Sequence, residues 1–295
     1  QRDRMILMGR AKTTTPKPLS FRKAQEAGAA LRAVVLQKQQ EGESLAFRDF
    51  TGADLSSLDF SGADLEGSIF ECCDLSRCLF VGSKLQGASF VGATVDETDF
   101  TGASLVRANF GYARGEHTVF AQADLSGGVM LQNAYLILAD FCGATIATAS
   151  IIKSNLCCAD FSGAKISRTT ILKSRLNGCV FDRATFDTST VMDTSLRRTQ
   201  WHECHAQRCV ILNSQMQMAD MRGGSLVRCQ IAGDSWLTAA SFDNTKFNHC
   251  GLRSAKGTGI SFAGSGFDSS DLAMTQFPAA DFSNATTTDC LASDS

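Results

Sequence analysis

Twelve cysteines and four histidines are the residues of this 295-residue chain that could bind a metal or act as nucleophiles. The densest group is the run His202–Glu203–Cys204–His205, which contains the residue types of a zinc site. In the five-residue register described below, however, Cys204 points inward, while His202 and His205 point outward on opposite sides of it. Zinc needs about four converging ligands, so we predict neither a metal nor a cofactor at this run.

The cysteines follow the same register. Cys209, Cys229 and Cys250 are spaced by 20 and then 21 residues and should stack in one column. Stacked strands hold Cβ atoms further apart than the ~3.8 Å that a disulfide prefers. We therefore predict buried free thiols that act as small apolar side chains. Seven cysteines fall on inward positions that require a small residue: Cys73, Cys78, Cys179, Cys204, Cys209, Cys229 and Cys250.

No other pattern in the sequence points to catalysis. The chain contains no P-loop, no G-x-G-x-x-G fingerprint, no paired carboxylates and no nucleophile with a matching base. The four histidines, His117, His202, His205 and His249, all fall on outward positions. We therefore predict that the protein is not an enzyme.

Composition bears on the compartment and on the ends of the chain. Twelve cysteines without a signal peptide favour a reducing compartment, and no stretch approaches the ~18 apolar residues of a membrane span. Gln1 in place of Met suggests a segment of a longer protein. We expect a location in the bacterial cytoplasm, with delivery by a secretion system without a cleavable signal peptide as an alternative.

The elements that position these residues are set by a period of five. From Ala46 onward, large apolar residues occupy every fifth position, beginning Phe50, Leu55 and Phe60. Neither a helix nor a simple strand produces this period. We call these every-fifth positions central, and the count makes Met130, Tyr135 and Trp236 central residues. One extra residue interrupts the period near Leu136–Asp140, and a second such slip occurs near Leu237–Ser241. Twenty pentapeptides separate the slips, so we expect both on the same face of the fold.

The positions around each central residue are also patterned. A small residue comes two positions before it, Asp or Asn one before, and Gly often two after, as in Ala53, Asp54, Leu55 and in Gly52 after Phe50. This A-(D/N)-(L/F)-x-G pattern resembles the pentapeptide repeat family over residues 46–290. The resemblance implies an all-β solenoid, a right-handed quadrilateral parallel β-helix of about twelve coils. In it, central and small positions face inward and the other three positions face solvent.

Three central positions lack a large side chain: Gly115, Ala206 and Gly257. Tyr135 should stack one coil after Gly115, and Trp236 one coil before Gly257. Because close packing requires the space to be filled, we interpret these positions as local repacking of the core and not as ligand cavities.

The segments outside the repeats divide the chain further. Residues 1–18 are predicted to be a basic linker or tail, residues 19–42 an N-terminal capping α-helix, and residues 291–295 a C-terminal tail. The helix should begin near Ser20 and end at Gly42, and it would cover the exposed strand edge of the first coil, with binding to a partner as the alternative. Its apolar stripe is predicted to contain Ala24, Ala27, Leu31, Val34 and Lys38.

Charge divides the repeats into an acidic and a basic part. Residues 46–100 contain ten acidic and three basic residues, and residues 161–230 contain five acidic and ten basic ones. Within the basic part, Arg168, Arg208 and Arg228 occupy the same outward position in separate coils, with Thr188 between them and His249 following. We interpret this basic stripe as a contact for an anionic protein surface, with a plain solvated surface as the alternative.

The function expected from these features is a non-enzymatic protein–protein interaction module or scaffold. Attachment to a larger bacterial protein would make it an adaptor or effector of a secretion system. The resemblance also implies an alternative, because well-understood family members inhibit or protect DNA gyrase by imitating DNA as acidic rods joined through a C-terminal helix. This chain departs from them in its basic middle and in the short, polar Thr286–Ser295. Direct nucleic-acid binding is disfavoured, because Tyr112 is nearly alone as an outward aromatic.

Overall fold

The computed structural model of the chain describes residues 32–37, 41 and 43–293. Its backbone forms an all-β parallel solenoid, in which each outward residue before a central position pairs with its equivalent about twenty residues later. Asp54, for example, pairs in parallel with Asp74, and Asp74 pairs with Thr94. This pairing runs from Asp49 to Leu291 and confirms the predicted fold class.

The described residues include sixteen strands of three residues each. Their bounds are β1 Arg114–Glu116, β2 Met130–Gln132, β3 Tyr135–Ile137, β4 Thr145–Ala147, β5 Ser150–Ile152, β6 Lys165–Ser167, β7 Thr170–Leu172, β8 Thr185–Asp187, β9 Thr190–Met192, β10 His205–Gln207, β11 Val210–Leu212, β12 Ser225–Val227, β13 Gln230–Ala232, β14 Lys246–Asn248, β15 Gly266–Asp268 and β16 Thr286–Thr288.

The strands and bridges line four faces. The first face is an eight-stranded parallel sheet in the order β16-β15-β14-β12-β10-β8-β6-β4, and the second a six-stranded sheet in the order β13-β11-β9-β7-β5-β2. The third face contains the pair β1-β3 and continues through the bridges of Tyr135, Asn155 and Arg175. The fourth face is joined by isolated bridges alone, such as Asp160 with Val180.

The number of turns differs slightly from the prediction. Turns that contain strands number about nine, against the predicted twelve coils. The difference arises because the turns before Arg114 are joined only by isolated bridges, such as Asp49 with Ile69.

Two local features recur at the corners of the solenoid. The Asp before a central residue accepts a hydrogen bond from the backbone N–H two positions later, as from Thr51 N to Asp49 Oδ1 at 2.9 Å, which is the turn-forming habit of this side chain. The residue two after the centre then takes a left-handed conformation, whether it is Gly52 (φ 73°) or Ser57 (φ 60°). The corner thus requires the left-handed backbone conformation but does not require a glycine.

The core is a column of stacked rings over much of its length. Phe100 is fully buried, and its ring centroid lies 5.0 Å from that of Phe80 and 5.1 Å from that of Phe120. Edge contacts to Phe90 and Phe110 join this column to the one on the second face. Apolar burial is therefore continuous along the rod, so each coil is stabilised by its neighbours.

The predicted positions of the two slips are wrong. The first extra residue enters two pentapeptides earlier, at Gly127–Gly128, where both residues have positive φ (74° and 97°). The second enters between Ile231 and Leu237, one pentapeptide earlier than expected. The two insertions consequently lie at adjacent corners, one on either side of the second face, and not on the same face.

This shift changes which side chains point inward. Leu136 and Leu237 are fully buried, whereas Tyr135 and Trp236 are 42 % and 50 % exposed. Met130 is exposed as well, and Leu131 takes its place in the core. Met130, Tyr135 and Trp236 were therefore misassigned as central residues.

The missing central side chains are compensated by other residues than predicted. A Cβ on Gly115 would lie 2.8 Å from both Cγ2 and O of Val95, so this site is already filled. A Cβ on Gly257 would lie 2.6 Å from the carbonyl carbon of Leu237. Beside Ala206, the indole of Trp201 leans to within 5.2 Å of Phe186 and leaves a cavity of about 20 Å³, room for about one water molecule.

The capping helix lies mostly outside the described residues. Residues 32–37 are helical, and Val35 is buried in the core cluster while Val34 is 46 % exposed. The predicted stripe is thus wrong by one position at Val34, because the face toward the first coil contains Val35. Arg32 on the same turn donates from Nη1 to the carbonyl oxygen of Ser56 at 2.6 Å. Ala24, Ala27, Leu31 and Lys38 lie outside the described residues.

Candidate interaction surface

The basic stripe forms one column at the corner between the first and second faces. The residues just before its members, among them Asp187, Gln207 and Val227, are partners in the eight-stranded sheet. Each stripe residue therefore lies directly above the previous one. All four predicted site residues are exposed: Arg168, Arg208, Arg228 and His249.

The backbone explains why these side chains project so far. Arg168, Arg208, Arg228 and His249 have φ values of 48°, 53°, 53° and 52°. They thus occupy the left-handed corner position, at which the chain turns away from the sheet and the side chain leaves the edge of the rod. Their guanidinium groups and imidazole are accessible from two faces.

Charge neutralisation along the stripe is uneven. Arg208 donates from Nη2 to Asp187 Oδ1 at 2.6 Å and from Nε to Thr188 Oγ1 at 3.2 Å. Nδ1 of His249 lies 2.6 Å from Oδ1 of Asn248. Within the described part of the chain, the side chains of Arg168 and Arg228 have no carboxylate partner. These two guanidinium groups remain available to a negatively charged partner.

The run His202–Glu203–Cys204–His205 has the predicted orientations. Cys204 is buried in the core, whereas His205 is exposed and its Nδ1 lies 2.9 Å from the carbonyl oxygen of Glu203. The two imidazoles and the thiol do not converge. Among the residues that the structure describes, no group of three His, Cys, Asp or Glu side chains could hold a metal ion.

His202 instead joins a charged cluster on the fourth face that the sequence reasoning missed. Its Nδ1 lies 3.1 Å from Asp182, and its Nε2 lies 3.0 Å from Asp220 Oδ2 without the alignment of a hydrogen bond. Arg222 in turn donates from Nη2 to Asp220 at 2.6 Å. The twenty-residue spacing of Asp182 and His202 was the available signal, because it places them on adjacent coils.

The carboxylates set the protonation of this cluster. The close Asp220 carboxylate, together with the hydrogen bond and the charge of Asp182, raises the pKa of His202, although burial opposes the shift. Burial alone would raise the pKa of Asp220, but the hydrogen bonds from Arg222 and the close His202 imidazole outweigh it, and the pKa is lowered. The cluster is an ion-pair network that favours the imidazolium form of His202.

The cysteines occupy their predicted places. All twelve are free, and the seven predicted inward cysteines are buried. Cys209, Cys229 and Cys250 lie one above another, with the backbone N–H of Cys209 3.5 Å from Sγ of Cys229. Burial raises the pKa of Cys73 and of Cys78 to about 12, so these thiols remain protonated and unreactive at neutral pH.

One general feature concerns membranes. Within residues 32–37, 41 and 43–293, no helix has the length and apolarity that crossing a bilayer requires.

A filled core, parallel coils and exposed charged columns together define a β-solenoid repeat protein whose regular outer faces carry columns of charged side chains. The model of the pentapeptide repeat family matches eight copies of its repeat, at residues 49–71, 73–111 and 98–130. These matches assign residues 49–130 of the chain to the pentapeptide repeat family. No enzyme family is indicated.

Solved structures with a similar solenoid come from several organisms. HetL, a pentapeptide repeat protein involved in heterocyst differentiation regulation in the cyanobacterium Nostoc, is 16 % identical, with 85 % of this chain and 92 % of that chain covered and a TM-score of 0.39. QnrB1, a plasmid-mediated fluoroquinolone resistance protein, is 17 % identical, with 70 % and 90 % covered and a TM-score of 0.34. A pentapeptide repeat protein of the Arabidopsis thaliana thylakoid lumen is 34 % identical over 38 % of this chain and 66 % of that chain, with a TM-score of 0.15. No curated protein matches the chain.

Proposed function

We propose that the protein is a non-enzymatic interaction module that binds the anionic surface of another protein through the basic stripe. The observation that carries this proposal is the pair of exposed guanidinium groups of Arg168 and Arg228, which have no carboxylate partner among the described residues. They lie three coils apart, on either side of the paired Arg208.

Rigidity supports the same function. A stacked core positions side chains on successive coils at the ~4.8 Å spacing of neighbouring strands. Arginines fixed at such a spacing form hydrogen bonds with carboxylates at a low cost in conformational entropy. A partner that presents acidic groups along an extended strand or a helix face would match the column.

Two biological settings are compatible with this chemistry. As an adaptor or effector domain of a bacterial secretion system, the module would dock a larger protein onto an acidic component. As a relative of QnrB1, whose name describes fluoroquinolone resistance, the chain would act on DNA gyrase or topoisomerase as a DNA mimic. The acidic residues that mimicry would need lie in the coils of residues 46–100, away from the stripe.

The experiment is an affinity capture from bacterial lysate with three forms of the full chain. They are the wild type, a stripe variant (Arg168→Glu, Arg208→Glu, Arg228→Glu) and a control variant (Lys153→Glu, Lys173→Glu, Arg253→Glu). Both variants reverse three exposed cationic side chains and change the net charge equally, so only the location of the change differs.

The outcomes separate the candidates. A protein retained by the wild type and the control variant but lost by the stripe variant supports the stripe as the contact. Capture of gyrase by all three forms would support DNA mimicry in its place. Equal loss of a partner from both variants would mean that net charge, and not the stripe, governs binding, and would refute the proposal.

A further inference from the structure

The third face carries opposite charges at its two ends. Its outward residues in the first four coils are net acidic, with two arginines, Arg77 and Arg114, against five carboxylates, listed here in chain order: Asp54, Asp74, Asp96, Glu97 and Glu116. From Tyr135 to Ala279, the outward positions of this face contain no acidic residue, but they contain Arg175, Arg197, Arg198 and Lys256. Lys256 pairs with Asp234 at 3.1 Å. The three arginines Arg175, Arg197 and Arg198 have no carboxylate partner in the described part of the chain.

An apolar belt lies between the two charged ends. Tyr135 and Leu138 are each 42 % exposed, and Ile137 between them is half-buried. The earlier position of the first insertion is what turns Tyr135 outward. The third face therefore reads acidic, apolar, basic along the rod.

The corner column at the end of this face gives the distance of each charged residue from the belt, counted in rungs. Backbone hydrogen bonds place its residues on successive rungs in the order Glu97, His117, Leu138, Cys158 and Gly178. Leu138 is the middle rung, so Glu97 lies two rungs before it and Gly178 two rungs after it. Arg77 and Arg198 lie one rung further out on either side.

We propose that the third face binds the third face of a second copy of this chain, antiparallel, about a two-fold axis that crosses the rod at Leu138. Such an axis lies in the interface and perpendicular to the rod, so each column meets its own column in reverse order. Leu138 then meets Leu138, and Glu97 of each copy meets Gly178 of the other. Asp96 lies within one rung of Arg175 and Arg197 of the second copy.

The surface at Gly178 fits a carboxylate. Gly178 leaves a hollow that is lined by Cys158, Asn177, Arg197 and Arg198. Glu97 projects from the opposite copy into this hollow, between two guanidinium groups. Charge-assisted hydrogen bonds from arginine to carboxylate are among the strongest that side chains form.

One contact opposes the pairing. Arg77 lies three rungs before Leu138 and therefore faces Arg198. Its Nε already lies 3.7 Å from Glu97 Oε2 of its own chain, so Glu97 would be shared between Arg77 and Arg198 and would screen the two from each other.

The occupant follows from the sign of the charges. A nucleic acid or a uniformly acidic protein would be attracted to one half of this face and repelled by the other half. A second copy satisfies both halves at once, and the apolar belt meets itself at the centre.

The projected area is only roughly 350 Å² per copy, from seven rungs of ~4.8 Å and a width of about three extended residues, below the ~800 Å² per partner of a standard interface. The dimer is therefore weak and sensitive to salt.

The test is analytical ultracentrifugation of the purified full chain, with a pair of charge-reversed variants. The acid-reversed variant is Asp74→Lys, Asp96→Lys, Glu97→Lys, and the base-reversed variant is Arg175→Glu, Arg197→Glu, Arg198→Glu. The wild type should dimerise at about 50 mM salt and less at about 500 mM, because screening shortens the range of the attraction. Each variant alone should dimerise at least about tenfold more weakly, since it then opposes like charges, and an equimolar mixture of the two should restore the dimer.

A second pair of variants tests the axis and guards against misfolding. Leu138→Glu places two carboxylates at the axis and should abolish the dimer. Leu79→Glu introduces the same change at a leucine of equal exposure, 42 %, on the fourth face, and should leave the dimer intact. Far-UV circular dichroism checks that each variant keeps its β-structure.

The results are independent of the proposed function, because no other protein is present. The stripe variant of the previous subsection should dimerise like the wild type. A wild-type chain that stays monomeric at low salt and high concentration overturns the proposal. So does a dimer that survives both charge reversals, or one that the mixture of variants fails to restore.

Discussion

The stacked phenylalanines allow a direct test of how the rod is stabilised. Phe100 is fully buried and has a stacked ring on each side, at 5.0 Å and 5.1 Å. Phe282, near the end of the described rod, is 43 % exposed and stacks on one side only, at 5.0 Å from Phe262. Truncation of each to alanine is the same chemical change in two environments.

The expected costs follow from burial. Phe100→Ala removes a fully buried ring and leaves a cavity between rigid neighbours, which costs about 4 kcal/mol in the free energy of unfolding. Phe282→Ala removes a ring that is about half solvated and leaves no closed cavity, so about 1–2 kcal/mol is expected.

Urea unfolding measured by two signals separates local from global loss. Far-UV circular dichroism reports on all coils, whereas the fluorescence of buried Trp201, measured with the exposed Trp236 replaced by phenylalanine in every variant, reports on the middle of the rod. If the coils are coupled as nearest neighbours, Phe100→Ala should shift the dichroism midpoint more than the Trp201 midpoint. Equal costs for the two truncations, or less than about 2 kcal/mol for Phe100→Ala, would refute the view that two-sided stacking stabilises the rod.

Two further substitutions probe the cluster on the fourth face and a tight glycine. His202→Gln should lower the urea midpoint more near pH 6 than near pH 9. A histidine whose pKa is raised above its ordinary 6.5 stabilises the fold below that value, and this contribution is lost as the pH rises through the folded pKa. An effect that does not depend on pH would contradict the ion pairing of His202 with Asp182 and Asp220. Gly115→Ala should destabilise the fold by about 1–3 kcal/mol in the same assay, because its Cβ would lie 2.8 Å from the carbonyl oxygen of Val95. An unchanged urea midpoint would mean that the backbone around Gly115 and Val95 can shift freely.

The fold was predictable because its signal is repeated. The central and small positions recur so often that a single irregular repeat, such as the one at Ala206, does not disturb the register. The same regularity explains the error at the slips. Met130 and Tyr135 are large and apolar at the expected spacing, so a count by side-chain size continues past the insertion. The backbone instead accommodates the extra residue at Gly127–Gly128, where two consecutive residues have positive φ.

Surface pairing was less predictable than the core. The stripe follows from a twenty-residue spacing, and the structure places its residues in one column. The cluster of His202 with Asp182 and Asp220 combines two outward columns of the fourth face, which a count along one column does not reveal. The exposed Tyr135 and Leu138 depended on the corrected slip, so the apolar belt of the third face was hidden from the sequence.

The two basic surfaces differ in how much repulsion the fold tolerates. Like charges on neighbouring strands destabilise a sheet, and the stripe limits this repulsion by placing Thr188 between Arg168 and Arg208 and by pairing Arg208 with Asp187. On the third face, Arg175 and Arg197 lie on successive rungs without a carboxylate among the described residues, while the carboxylates of that face lie at its other end. Folding alone would favour mixing these charges within each coil. Their separation has a physical use when a second surface of reversed order covers them, and an antiparallel copy of the same chain provides that surface.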